Sequence, residues 1–187
     1  MEAIYIDKHY DLVVECKKGE RKAYHELYKL YAKAMYNICV RILNNTAEAE
    51  DVLQEAFLDA FTRIKDFRQE TTFGLWLKQI VIHKAINCLR KRKVIFEDIA
   101  EVDIEEVIDL NYAYDIAEIN FKVETVKEAM MLLPEGYRLV LSLYLLEGYD
   151  HEEISQILKI SVNTSRTQFL RAKRKLIEIL KLKGIER

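Results

Sequence analysis

Asp51, Gln54 and Glu55 place two carboxylates and a carboxamide within about one helical turn, opposite an apolar stripe of Val52, Leu53, Ala56, Phe57, Ala60, Phe61 and Ile64. Such acceptors take charge-assisted hydrogen bonds from guanidinium and ammonium groups, which is the chemistry of docking on a basic partner. A polar face that only meets solvent would have the same composition. Thr164, Arg166, Thr167 and Gln168, with Arg171 one turn later, carry donors and acceptors suited to base edges. Neither set is catalytic. The sequence has no Gly-rich phosphate loop, no metal-spaced His/Cys set and no nucleophile-base pair, and His9, His25, His83 and His151 are scattered singly. The expectation is recognition chemistry with no cofactor, no metal and no small-molecule substrate, in a protein that is not an enzyme.

Helices must position these groups. Gly is rare, Pro134 is the single proline, and apolar residues recur at three and four rather than at two. Arg21 to Leu43 reads as one helix, and Asn45 with Glu48 three residues later signals the start of the next. A third helix is expected from Thr72 or Phe73 to about Lys93, with Leu75, Ile80, Ile82, Ala85, Ile86 and Leu89 among its apolar positions. Further on, Pro134 suits the first turn of a helix that closes near Gly148. Asp150 and Glu153 make a capping box for a short helix, "ILKIS" makes a turn, and Ser161 or Asn163 caps a long basic helix. A short helix, a turn and a basic helix form a helix-turn-helix, whose second helix enters the major groove. Ser155 is small where the two helices should cross, and Ile154, Leu158, Ile160, Val162 and Phe169 supply the core between them.

A chain of 187 residues, 50% hydrophobic and 32% charged, has the composition of a folded soluble protein. Its formal net charge of −2 hides a strong segregation. Arg63 to Lys93 and Lys159 to Arg187 each hold nine basic residues against two acids, whereas Val94 to Asn120 holds nine acids and no Lys or Arg. The expected architecture is all-α: a helical domain over 1–93, an acidic linker over 94–120 and a helix-turn-helix domain over 121–187. Cys16, Cys39 and Cys88 lack metal-ligand spacing and read as free, mostly buried thiols. With no spanning apolar run and no signal segment, a cytoplasmic protein is expected.

The segments "AEDVLQEAFLDAF", "WLKQIVIHKAINCLRKRK", "LPEGYRLVLSLYLLEGYDHEEISQIL" and "SRTQFLRAKRKL" resemble, in that order, the core helices of bacterial sigma factors of the extracytoplasmic-function group. The resemblance runs from about Asp11 to Leu180. It implies a first domain that recognises and melts the promoter −10 element and a second that reads the −35 element. Asp51, Gln54 and Glu55 then match the face that binds the β′ clamp coiled coil of core RNA polymerase, with the β flap as a second polymerase contact. The loop "DFRQETT", Asp66 to Thr72, matches the segment that captures an unstacked non-template base. In it Arg68, Gln69, Glu70 and Thr71 are the specificity candidates, with Phe67, Phe73 and Trp76 as aromatic faces for stacking. Trp76 at helical spacing also fits a core position. Lys78, His83, Lys84, Asn87 and Arg90 match the following DNA-contacting helix, although the cations closing it equally complement the helix dipole. Thr164, Arg166, Thr167, Gln168, Arg171 and Lys173 match the −35 reading helix.

The resemblance further implies promoter DNA and an anti-sigma factor as partners, the latter holding the chain at the membrane where it is itself anchored there. The acidic linker is implied to thread a basic channel of the polymerase, and a plain soluble tether would look the same. Six departures from the family pattern stand out. His83 and Asn87 replace a usual Asn and Asp; Asn163, Ser165 and Gln168 replace a Gly, a Val and an Arg; and Lys159 replaces a turn Gly. The missing Arg implies an unusual −35 sequence. Two other classes share parts of this pattern: a stand-alone helix-turn-helix regulator, and a helical adaptor whose basic segments are solvated.

Overall fold

The computed structural model describes residues 7–92 and 123–182, all of its regular elements helical. The chain divides into two units, Met1–Lys91 and Arg92–Arg187. The expected acidic linker, 94–120, lies outside the described residues, as does Lys93.

The first unit holds α1 (Tyr10–Lys17), α2 (Arg21–Leu43), α3 (Thr46–Thr62), a 3-10 turn at Ile64–Asp66 and α4 (Phe73–Lys91). Helices α2, α3 and α4 pack mutually, with α1 against α2. Their shared core takes Leu27, Ile42 and Leu43 from α2, Ala56, Phe57 and Ala60 from α3, and Leu77, Val81, Ile86 and Leu89 from α4. Each buried Leu, Ile or Phe contributes about 1.5–3 kcal/mol of transfer free energy. Chain reversals are set locally. Asn44 ends α2 at φ 50, and the Asn45 carboxamide oxygen then accepts from the Glu48 N–H at 3.2 Å to open α3.

The start of α4 has a second, distant cap. Thr72 Oγ1 accepts from Leu75 N–H, but the Phe73 N–H is taken by the carboxylate of Asp7 at 2.6 Å. A hydrogen bond from a helix-terminal N–H to a carboxylate is worth about 1.5–3 kcal/mol. Leu75, expected inside, is instead 42% exposed, and Ile80 is half-buried, because the packed stripe of α4 runs through Phe73, Leu77, Val81 and Ala85.

The second unit holds α5 (Val123–Met131), α6 (Glu135–Leu145), α7 (His151–Leu158) and α8 (Val162–Leu182). Pro134 stands one residue before α6, at its N-cap. Ala129, Met130, Leu133, Leu141, Ala172, Leu176 and Leu180 form one apolar cluster. Arg138 is buried beside it and donates to the Leu133 carbonyl at 3.1 Å, which ties α6 to the turn before it. Among the described residues no helix is long and apolar enough to cross a membrane.

The helix-turn-helix is delimited by short-range devices. Asp150 and Glu153 form the full reciprocal box at the start of α7, at 2.8 and 2.9 Å. Lys159 ends the helix at φ 60, the left-handed conformation that a turn Gly would adopt without Cβ strain. Ser161 is the cap of α8, its hydroxyl oxygen accepting from Thr164 N–H at 2.9 Å. The small residue sealed between α7 and α8 is Ser165, which is fully buried, whereas Ser155 keeps partial exposure and donates to the Glu152 carbonyl.

Candidate functional site

On α3, Asp51, Gln54 and Glu55 are all exposed, as the apolar stripe beneath them requires. One residue on their side of the helix was not anticipated. Leu58 follows Asp51 by seven positions and Gln54 by four, so it shares their face, and it is 69% exposed. Its signal was a leucine standing outside the stripe of an otherwise regular amphipathic pattern. Asp51 and Glu55 also line a cleft of about 550 Å³ with Glu48, Val52, Lys84, Asn87, Cys88 and Lys91.

Lys84 pairs with acids of the neighbouring helix. Matched to DNA contact, it instead turns toward α3, its Nζ 2.7 Å from an Asp59 carboxylate oxygen and 3.5 Å from one of Glu55. The hydrogen bond it donates to Asp59 leads the factors that push the Lys84 ammonium above its usual pKa, with Glu55 adding to it. The charge is thus already met by two acids.

The remaining α4 candidates divide between faces. Trp76, His83, Asn87 and Arg90 recur at helical spacing on one side, and Arg90 donates to the Asn87 carboxamide oxygen at 3.2 Å. Lys78 lies about 200° around the helix from Trp76 and is half-buried. Phe67 and Phe73, considered as stacking faces, are buried core residues. Trp76 keeps partial exposure and packs its ring against both, at 5.3 and 5.8 Å between centroids. It therefore combines the core role and an accessible edge.

The loop between Phe67 and Phe73 exposes Arg68, Gln69 and Glu70 to solvent and Thr71 in part. Gln69 sits at φ 61, a conformation costing a non-glycine residue about 1–2 kcal/mol. Such strain persists where surrounding contacts over-determine the backbone.

On α8, Arg166 and Lys173 are exposed one heptad apart, and Thr164, Thr167 and Arg171 are partly exposed. Gln168 departs from expectation: it is 5% exposed, and its Oε1 has no hydrogen-bond partner among the described residues. Two positions around the helix from Arg166, it falls on the side that carries Ala172 and Leu176 into the core. Asn163 and Arg174, both exposed near Arg166 on the helical wheel, were missed as candidates. Asn163 is free to face outward because Ser161 holds the cap.

Between α7 and α8, His151 places its Nδ1 2.9 Å from Ser165 Oγ. Its ring stacks on Tyr144 at 4.6 Å and meets Phe169 edge-on. Burial first, then the Arg166 guanidinium, holds the His151 pKa below its ordinary value. Cys16 and Cys39 are buried, and burial pushes their thiols up to about 11 and about 12. No group of His, Cys, Asp and Glu among the described residues could hold a metal ion.

Known proteins show the same two-part plan. The family model for sigma-70 region 2 matches residues 27–94, and that for sigma-70 region 4 matches residues 124–176. The chain is 30% identical over 173 residues to the ECF RNA polymerase sigma factor SigW of Bacillus subtilis, covering 88% of this chain and 92% of that one. It is 31% identical over 170 residues to the RNA polymerase sigma-H factor of Pseudomonas aeruginosa, covering 87% and 88%. In fold it is similar to the sigma factor RpoE of Bartonella quintana, solved in complex with the anti-sigma factor NepR, with a TM-score of 0.54 and 20% identity over 86% of this chain and 98% of that one. With its two helical units, matching regions in order and near-complete coverage of its relatives, the chain belongs to the extracytoplasmic-function group of the sigma-70 family, alternative sigma factors that direct promoter-specific transcription.

Proposed function

We propose that residues 1–93 bind core RNA polymerase and open the −10 element, that 121–187 read the −35 element, and that 94–120 join them. Asp51, Gln54 and Glu55 dock on the β′ clamp coiled coil, and the second unit takes the β flap. The observation that carries this reading is Leu58. An exposed apolar side chain within a face of acids and an amide has the mixed makeup of a protein interface.

Arg68, Gln69, Glu70 and Thr71 present the base-capture loop, while Trp76, His83, Asn87 and Arg90 face the melted strand. On α8, Arg166, Thr167, Arg171, Thr164 and Lys173 meet the −35 duplex, joined by Asn163 and Arg174. The chain performs no bond chemistry itself; that belongs to the polymerase. An anti-sigma factor, of the kind bound by the Bartonella relative, is the expected restraint on the free protein, which works in the cytoplasm.

The test is binding of the purified chain to core polymerase lacking sigma, beside an Asp51→Ala/Gln54→Ala variant and a Leu58→Ala variant. Tight binding by the natural chain and its loss in both variants is the expected result. A folded natural chain that does not bind would move the reading to a stand-alone DNA-binding regulator.

A further inference from the structure

Both ends of the Arg68–Thr72 loop are held by side chains from the start of the chain. At one end Lys17 Nζ donates to the Phe67 carbonyl at 2.7 Å and lies over the Phe67 ring at 5.7 Å. At the other, the Asp7 carboxylate accepts the Phe73 N–H with one oxygen, at 2.6 Å, and the His9 N–H with the other, at 3.0 Å. His9 continues the contact through Nδ1, 2.9 Å from the Tyr31 hydroxyl. Tyr31 in turn closes over Gly74, where an added Cβ would come within 2.8 Å of its ring. The loop between these anchors contains Gln69 in its left-handed conformation.

We propose that Asp7 and Lys17 form a clasp that sets the shape of this loop, and that both are positioning residues for capture of the unstacked promoter base. The proposal rests on the reading of Asp66–Thr72 as the capture loop. Neither side chain touches DNA in this scheme. Their ionised groups fix Phe67 and Phe73, and the short span between them leaves Gln69 no relaxed alternative. Arg68, Gln69 and Glu70 are thereby presented in one arrangement before DNA arrives, so that a flipped base meets a formed pocket rather than ordering one. A loop tethered at one end would keep its residues exposed but would bind bases with less discrimination.

The experiment uses holoenzyme assembled from the full chain and core polymerase, with a randomised single-stranded DNA pool as probe. An Arg68→Ala/Gln69→Ala variant first identifies the pool position whose base preference depends on the loop. Asp7→Ala/Lys17→Met is expected to flatten that same preference roughly tenfold, the scale of one lost base contact. Affinity for core polymerase should stay unchanged, and Lys17→Arg, which keeps a donor, should retain the preference. Hydrogen exchange in the free variant provides a check on folding: faster exchange is expected at 68–72, with the α2 and α3 amides still protected. Unchanged base preference in the clasp variant, with the loop variant flattened, would overturn the clasp and leave the capture reading standing. A loop variant that flattens nothing would overturn the capture reading and the clasp with it. General loss of protection across α2 and α3 would also overturn the proposal, by making these contacts part of the core's stability.

Discussion

Lys84 lies 2.7 Å from Asp59, so a cation from the DNA-matched helix is spent on an acid of the polymerase-matched helix. Lys84→Met should leave the salt dependence of promoter binding unchanged, because no phosphate contact is removed. Stability should fall by about 1 kcal/mol, the scale of a partly exposed pair. Salt titrations of promoter affinity and urea melts test the two halves; a slope reduced by about one would return Lys84 to the DNA face.

Arg166 and Gln168 should part company. Arg166→Ala is expected to weaken −35 duplex binding by about 1–3 kcal/mol while core polymerase binding holds. Gln168→Leu, which removes a buried oxygen without a hydrogen-bond partner, should stabilise the fold by about 1 kcal/mol and keep the same −35 preference. Selection of duplex sites with each variant decides the matter.

Lys159→Gly should stabilise the chain by about 1 kcal/mol in denaturant melts, since the φ of 60 costs a lysine and not a glycine. A loss of stability would mean that the lysine side chain makes up more than its backbone costs.

His151 gives a pH dependence. Its folded pKa is held below its ordinary value of 6.5, by burial and then by Arg166, so the folded state binds its proton less readily than the unfolded chain. The stabilising contribution is therefore full above that ordinary value and is lost as pH falls through the lowered one. A His151→Phe/Ser165→Ala variant keeps the aromatic contacts and removes both polar groups. Thermal melts at neutral and mildly acidic pH should show a smaller acid-induced loss in the variant than in the natural chain.

Cys88 should be the thiol that alkylates in the native state, because Cys16 and Cys39 are buried whereas it is only partly so. Bound core polymerase should slow its reaction, since Cys88 lines the same cleft as Asp51 and Glu55. Mass mapping after brief treatment with iodoacetamide measures both effects.

The legible parts of this fold were local. Asn45 with Glu48, and Asp150 with Glu153, announced helix starts because cap and capped residue lie three positions apart. The exposure of Asp51, Gln54 and Glu55 followed from the stripe on their own helix. Contacts between distant segments were not legible. The pairing of Lys84 with Asp59 depends on how α3 and α4 pack, and helical periodicity alone left Lys84 looking like any other solvent-facing cation. Gln168 was read by its matched position, yet one step around the wheel from Thr167 carries it into the core. The α4 cap from Asp7 had no sequence signature, because cap and helix are 66 residues apart.

That separation also sets an order of assembly during synthesis. The helix caps of the helix-turn-helix fall between Asp150 and Thr164, so their hydrogen bonds need only that stretch to have left the ribosome. Asp7 emerges early and must wait for Phe73 before its carboxylate has an N–H to hold, a loop closure that comes with assembly of the first unit. The nascent chain therefore acquires its loop geometry late in the first unit's folding, while the caps of its helix-turn-helix need no distant segment.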